Sequence, residues 1–250
     1  MKWLLRFLQY IYCIYALVWF IILMFIVLVF VFIFSLFGKI KGGNLIYVAC
    51  RCWATAWYFL IGIRHKEIYE AYHSKKQQYI FVGNHISYMD IPAFVRSIRQ
   101  PIRALGKYEM VKYPVFGIIY RMAVILVDRS SAERRAKSVR ALKAALQKGI
   151  SIFIFPEGTF NETQKPLKDF YDGAFRIAIE TQTPIKPLLF LDTHQRMHYR
   201  GFFELTPGKM RTVFLPEVNV STYTMQDVQV LKQKVFDIME NGLLRYASKK

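Results

Sequence analysis

The chain has 250 residues, enough for one domain with an appendage. Lys and Arg outnumber Asp and Glu by 35 to 17, a formal charge of +18, which suits a polyanionic partner, either nucleic acid or an anionic membrane surface. Apolar residues at 54% and aromatics at 16% favour the membrane over a soluble nucleic-acid binder, and the only three cysteines (Cys13, Cys50 and Cys52) lie near the N-terminus, which excludes a disulfide framework in the rest of the chain.

In chain order, Ile11 to Phe37 carries no charge. As a helix this run spans roughly 40 Å, more than the hydrocarbon core of about 30 Å. A cleaved signal peptide would have an apolar region of only about 7–15 residues, so a retained membrane anchor is the better reading. A second apolar stretch, Leu45 to Ile63, follows Gly42-Gly43 and carries Arg51 at its middle with Trp53, Trp57 and Tyr58. A central Arg is costly in a lipid-facing span, so this stretch is expected at the membrane surface or packed on the first helix. Residues 1–63 thus read as an anchor and 64–250 as the body. Lys39, Lys41 and Arg51 outnumber Lys2 and Arg6 and so put the body on the cytosolic face of an inner, cytoplasmic-type membrane.

Arg64 to Gln78 is polar and reads as a helical or irregular link. Tyr79 to Val82 predicts a buried strand that stops at Gly83, and a helix is expected after Pro92. Ile102 to Lys107 reads as a strand, Glu109 to Gly117 as a short helix broken at Pro114, and Val124 to Val127 as a strand. Ser130-Ser-Ala-Glu133 has the form of a capping box opening a helix that runs to about Lys148. The basic residues of that helix read either as a solvated face or as a contact with anionic lipid. Ile150 to Phe155 is a near-continuous apolar strand of the kind buried on both faces. A helix over 169–181, a strand over 184–191, a hairpin of Tyr199–Leu205 with Met210–Leu215 and a closing helix over 224–246 complete the pattern. The expected fold is α/β, a mixed, mostly parallel sheet flanked by helices.

His85 and Asp90 lie where the first buried strand hands over to a helix, outside a strand's carboxyl end. Five residues along a helix turn through about 500°, so the two meet only if His85 is on the loop and Asp90 in the first helical turn. A carboxylate there holds an imidazole in one tautomer and stabilises its protonated form, as in serine proteases. The alternative is that His85 caps a loop and Asp90 caps a helix.

Asn84-His-x-Ser-x-x-Asp90 resembles the first motif of the 1-acylglycerol-3-phosphate acyltransferase family, and three further motifs follow in order. Ala123 to Arg129 resembles the second, with Ala where the family usually has Gly. Phe155-Pro-Glu-Gly-Thr159 matches the third, but Phe160-Asn161 stands where the family commonly continues with Arg-Ser. Pro184-Ile-Lys-Pro-Leu188 resembles the fourth.

The resemblance implies a glycerolipid acyltransferase-like fold. It also implies transfer of a fatty acyl group from acyl-CoA or acyl carrier protein to a lysophospholipid hydroxyl, without a cofactor or metal. His85 and Asp90 are then the catalytic pair. Asn84, Lys107, Arg129, Glu157, Gly158 and Thr159 are the substrate-binding candidates, with Arg129 and Lys107 on the acceptor's phosphate. The partners implied are the donor, the lysophospholipid acceptor and membrane lipids, with no nucleic acid. Phe160 removes an expected positive charge, so another lysolipid acceptor stays open, as does a non-catalytic membrane adaptor that keeps the fold. His194 and His198 lack the Glu of a zinc-protease pattern and are expected to be ordinary histidines, and Ser87 to make a local hydrogen bond.

Overall fold

A computed structural model describes residues 2–127 and 131–248. Two long helices open the chain, α1 (Lys2–Ser35) and α2 (Gly43–Leu60), joined by a π-helical turn over Gly38–Gly42. After them come β1 (Ile63–Tyr69), β2 (Ile80–Gly83), α3 (Asp90–Ser97), β3 (Ile102–Lys107), α4 (Phe116–Ala123), β4 (Val124–Val127), α5 (Ala132–Gln147) and β5 (Ser151–Ile154). The chain closes with α6 (Gly173–Thr181), β6 (Ile185–Leu191), α7 (Thr193–Arg196), β7 (Gly208–Phe214) and α8 (Val228–Ala247).

Among the described residues seven strands form one sheet in the order β1-β7-β6-β2-β5-β3-β4. Neighbours are parallel except β6 and β7, which run antiparallel. The fold is therefore the mixed, mostly parallel sheet expected. β2, β3, β4, β5 and β6 share one direction, so their carboxyl ends lie along one edge. β2, β5 and β6 are buried at every position because both faces are covered, and they are apolar except for Ser151 and Lys186. Ile80, Val82, Ile152 and Leu189 pack on the side of α5, α6 and α8. Phe81, Phe153, Leu188 and Phe190 pack into a second core with Tyr58 and Trp57 of α2 and Phe94 of α3.

Three expectations need correction. Arg64–Gln78 is not a plain link: its first part is β1, whose exposed Arg64 and Lys66 are the charges that blunt a sheet edge. The hairpin of Tyr199–Leu205 with Met210–Leu215 does not form. Phe202–Glu204 is a 3-10 turn, and its surroundings are apolar because they meet α1, with Phe203 edge-on to Tyr10 at 5.5 Å and Cys13 donating to the Leu205 carbonyl. β7 pairs instead with β6 and β1. The cap of α5 is Ser131, whose hydroxyl accepts from the Arg134 N–H at 3.2 Å; Ser130 lies outside the described residues. On that helix Lys137 and Arg140 are exposed and Lys143 pairs with Glu180.

The first two helices share a core with the body. The Trp57 indole donates to the Ala16 carbonyl at 2.9 Å, and Phe20 lies edge-on to Trp53 and Trp57 at 5.1 and 5.3 Å. On the other side of α2, the Tyr47 hydroxyl donates to the carbonyls of Val95 and Ile98, and the Tyr58 hydroxyl donates to the Met89 carbonyl.

Candidate active site

β2 ends at a glycine for a steric reason. A Cβ at Gly83 would stand 2.6 Å from the Phe190 ring and 3.0 Å from the Phe153 ring. Asn84 then turns its amide back onto β6. It donates to the Phe190 carbonyl at 3.1 Å and accepts the Phe190 N–H at 2.7 Å, which continues the sheet pairing by one residue. The chain leaves the sheet at His85.

Asp90, fully buried, is the first residue of α3, and one of its oxygens gathers the loop. Oδ2 accepts from His85 Nδ1 at 2.9 Å, from the Ile86 N–H at 2.7 Å and from the Ser87 N–H at 2.8 Å. Oδ1 is also buried and has no hydrogen-bond partner among the described residues. With Nδ1 donating to a carboxylate, Nε2 is the ring nitrogen left with a lone pair, so the geometry assigns the tautomer a general base needs. The imidazole is 14% exposed and stacks on Phe155 at 3.8 Å and 14°.

The main chain of His85 is fixed from two sides. Its N–H donates to Glu157 Oε1 at 2.8 Å, and its carbonyl accepts from the Asn161 N–H at 2.7 Å. Glu157 follows β5 in a turn that Gly158 completes at φ +72°, a backbone state that glycine adopts without strain. The other Glu157 oxygen accepts the Lys168 N–H at 2.9 Å, and Lys168 Nζ donates to Thr159 Oγ1 at 2.7 Å. Burial pushes the Glu157 carboxyl up to about 7, against the opposing pull of its two N–H donors.

Among the described residues no side-chain nucleophile stands ready beside His85. The Ser87 hydroxyl donates to the Met197 carbonyl at 2.6 Å and accepts the Met89 N–H. The three cysteines belong to α1 and α2. The arrangement can deprotonate a hydroxyl brought to it, and the substrate then supplies the nucleophile.

Comparison with known proteins gives the family. The acyltransferase family model matches residues 64–191, half the chain, from β1 to the end of β6. The chain belongs to the acyltransferase family. A 1-acyl-sn-glycerol-3-phosphate acyltransferase of Limnanthes alba is 30% identical over 213 residues, 84% of this chain and 69% of that protein. One from Haemophilus influenzae is 27% identical over 83% of this chain and 85% of its own length. The crystal structure of the 1-acyl-sn-glycerophosphate (LPA) acyltransferase PlsC of Thermotoga maritima shares the fold, with a TM-score of 0.76 at 20% identity over 99% of this chain and 98% of that one.

Within this acyltransferase the predicted site residues fall into three groups. His85, Asp90 and Glu157 form one hydrogen-bonded network, Asn84 beside it clasps the Phe190 main chain, and Gly158 and Thr159 are on the adjoining turn. Asn84 and Glu157, expected among the substrate contacts, are buried and spend their polar atoms on main-chain groups. Lys107 is exposed at the end of β3, on the same sheet edge but beyond β5. Arg129 lies outside the described residues.

The structure adds residues that sequence reasoning missed. Phe160 leans on His85 at 4.2 Å and 49°, so the imidazole has an aromatic ring on either side. Tyr88 meets Phe160 edge-on at 4.8 Å, and Tyr199 stacks on it at 6.3 Å. The departure from the family's usual Arg was legible as a missing charge, but not as a ring against His85. Lys168 carried no signal at all. His194 and His198 have ring centroids 4.3 Å apart, and among the described residues no three His, Cys, Asp or Glu side chains gather as metal ligands.

Proposed function

We propose that this acyltransferase moves a fatty acyl group from a thioester to the free hydroxyl of 1-acylglycerol-3-phosphate, giving phosphatidic acid. The observation that carries the reading is the 2.9 Å contact of His85 Nδ1 with Asp90, which leaves Nε2 as a base. His85 Nε2 takes the proton of the acceptor hydroxyl. The oxygen attacks the thioester carbonyl, the C–S bond breaks, and the imidazolium returns its proton to the thiolate. Asp90 stays ionised and stabilises the imidazolium. No acyl-enzyme is needed. Lys107 and Arg129 hold the phosphate, where an Arg fork suits phosphate oxygens, and Gly158 and Thr159 line the acceptor side. Asn84 and Glu157 hold the loop that carries His85.

The donor is a thioester on coenzyme A or on acyl carrier protein; the chemistry at His85 is the same for both. Residues 1–63 serve as the anchor that keeps the site at the bilayer, where the acceptor is dissolved. In support, α1 is long and apolar enough to cross a membrane, and its outer side chains, among them Trp3, Leu4, Phe25 and Phe32, are exposed along its length. The basic residues after α1 favour a cytosolic body.

The test offers purified protein labelled acyl-coenzyme A and acyl carrier protein, with lysophosphatidic acid or with lysolipids lacking a terminal phosphate. Transfer to lysophosphatidic acid is the expected result. Transfer only to the other lysolipids keeps the chemistry and overturns the acceptor, a second reading that Phe160 favours because it replaces a phosphate-pairing charge with a ring. Silence with every pair refutes the reading.

A further inference from the structure

Directly beside the catalytic loop is a cavity of about 300 Å³, at the lower end of the range for small-molecule sites, about 300–1,000 Å³. Ile86, the neighbour of His85, forms its inner wall. The loop after β5 contributes Thr163, Gln164 and Lys165, and the segment after β6 contributes His194, Tyr199 and Arg200. Asn161 ties the first wall in place: its side chain donates to the Lys165 carbonyl at 2.9 Å and accepts from Thr163. The cavity therefore opens over β2 and β6, whereas Lys107 stands at the end of β3, on the other side of β5.

That separation assigns the two sides to different substrates. If the acceptor's phosphate is held at the β3–β4 side, the thioester must reach His85 from the other. Both candidate donors present the same group there, a phosphopantetheine arm: a thiol end, two amides separated by methylenes, and a phosphate at the far end. The lining offers a group for each part. Ile86 and Tyr199 are apolar, the Gln164 amide makes no hydrogen bond among the described residues, and Lys165 and Arg200 form no ion pair among them. Arg200 sits over the Tyr199 ring at 5.9 Å, an arrangement that orders the guanidinium while leaving its N–H groups unspent. Burial and the neighbouring His198 and Arg200 hold His194 below its ordinary range, so at neutral pH it offers a neutral ring beside those cations. Glu162 is the one carboxylate on the lining, and it opposes an anion.

We propose that this cavity is the donor site and that it holds the phosphopantetheine arm, with Arg200 and Lys165 on its phosphate and Gln164 on an amide. The proposal rests on the reading that the donor is a thioester of that arm. It is tested with the full chain in detergent micelles, by equilibrium binding of coenzyme A, of 4′-phosphopantetheine and, separately, of lysophosphatidic acid. Arg200→Ala with Lys165→Ala is expected to weaken coenzyme A and phosphopantetheine about tenfold and to leave lysophosphatidic acid unchanged. Glu162→Gln is expected to tighten both pantetheine ligands severalfold, a gain that misfolding cannot imitate. The KM values for acyl-coenzyme A and for acyl carrier protein then separate the sources: a rise for both marks the shared arm, and a rise for acyl-coenzyme A alone assigns the site to coenzyme A. Unchanged binding in the double variant, loss of lysophosphatidic acid binding instead, or no binding of either pantetheine ligand by the wild type overturns the proposal. Binding is read without turnover, so a pocket that binds in a protein that transfers nothing refutes the proposed reaction and not the pocket.

Discussion

Glu157 holds His85 by its main chain and not by its ring: the carboxylate accepts the His85 N–H at 2.8 Å with one oxygen and the Lys168 N–H at 2.9 Å with the other. It spans the loops after β2 and β5, and the position of the imidazole depends on it. A glutamine in its place would turn an NH₂ toward one of the two donors. Glu157→Gln is therefore expected to fold but to lower kcat about tenfold or more, with KM for the acceptor changed much less, since a misplaced base costs rate before it costs binding. A rise in acceptor KM with kcat intact would instead make Glu157 a substrate contact.

The same group makes stability depend on pH. Burial raises its carboxyl from an ordinary 4.5 to about 7. A raised carboxyl favours the folded chain while protonated, so this contribution is whole below pH 4.5 and is lost as pH rises to about 7. At about 1.4 kcal/mol per pH unit, that interval amounts to about 3–4 kcal/mol. Denaturation midpoints of wild type and Glu157→Gln, taken from pH 4.5 to 8, should show the wild type losing ground to the variant as pH rises. Parallel curves would contradict the buried titration.

His85→Ala is expected to reduce transfer about 10²–10⁴-fold, the usual worth of a general base, and to leave folding intact because Asp90 keeps the Ile86 and Ser87 N–H groups that hold the loop. Asp90→Asn should cost a comparable factor in kcat and also stability, because three N–H groups converge on one of its oxygens. Activity and circular dichroism on the two variants separate these effects. Full activity in His85→Ala would remove the mechanism.

Phe160→Arg returns a positive charge to the position where the family commonly has one and uncovers one face of the imidazole. The preference for lysophosphatidic acid over a lysolipid without terminal phosphate should rise about tenfold, in line with 1.5–3 kcal/mol for a hydrogen bond to a charged group. An unchanged ratio of kcat/KM values would mean that the phosphate never comes near Phe160.

Asn84→Ala leaves the buried N–H and C=O of Phe190 without their partners. Unpaired buried groups of this kind cost about 1–3 kcal/mol each. Thermal melting should fall accordingly. A variant as stable as wild type would show that the amide clasp is not needed.

Much of this was legible in the sequence because the signals were local. The apolar runs of β2, β5 and β6 announced strands buried on both faces, and the spacing of His85 and Asp90 allowed only a loop-to-helix meeting. What stayed hidden depended on contacts across the fold. β1 is polar because it is an edge strand, so nothing distinguished it from a link until β7 was seen beside it. Phe202 and Leu205 mimicked strand alternation while packing toward α1. Lys168 meets Glu157 only through the closure of the loop between them, which no periodicity reports.

The Tyr58 hydroxyl, on α2, rests on the carbonyl of Met89, the residue just before Asp90. In mechanical terms the N-terminal helix pair is a bracket rather than a tether: α2 is clamped between α1 and α3 and bears on the start of the helix that carries the aspartate. Cutting the chain before β1 would strip Tyr47, Trp57 and Tyr58 from a core they share with Phe94 and Phe81 and leave an adhesive wall, not a soluble enzyme. A bracket also transmits: a shift of α2 would be felt at the start of α3, and through Asp90 at the imidazole of His85.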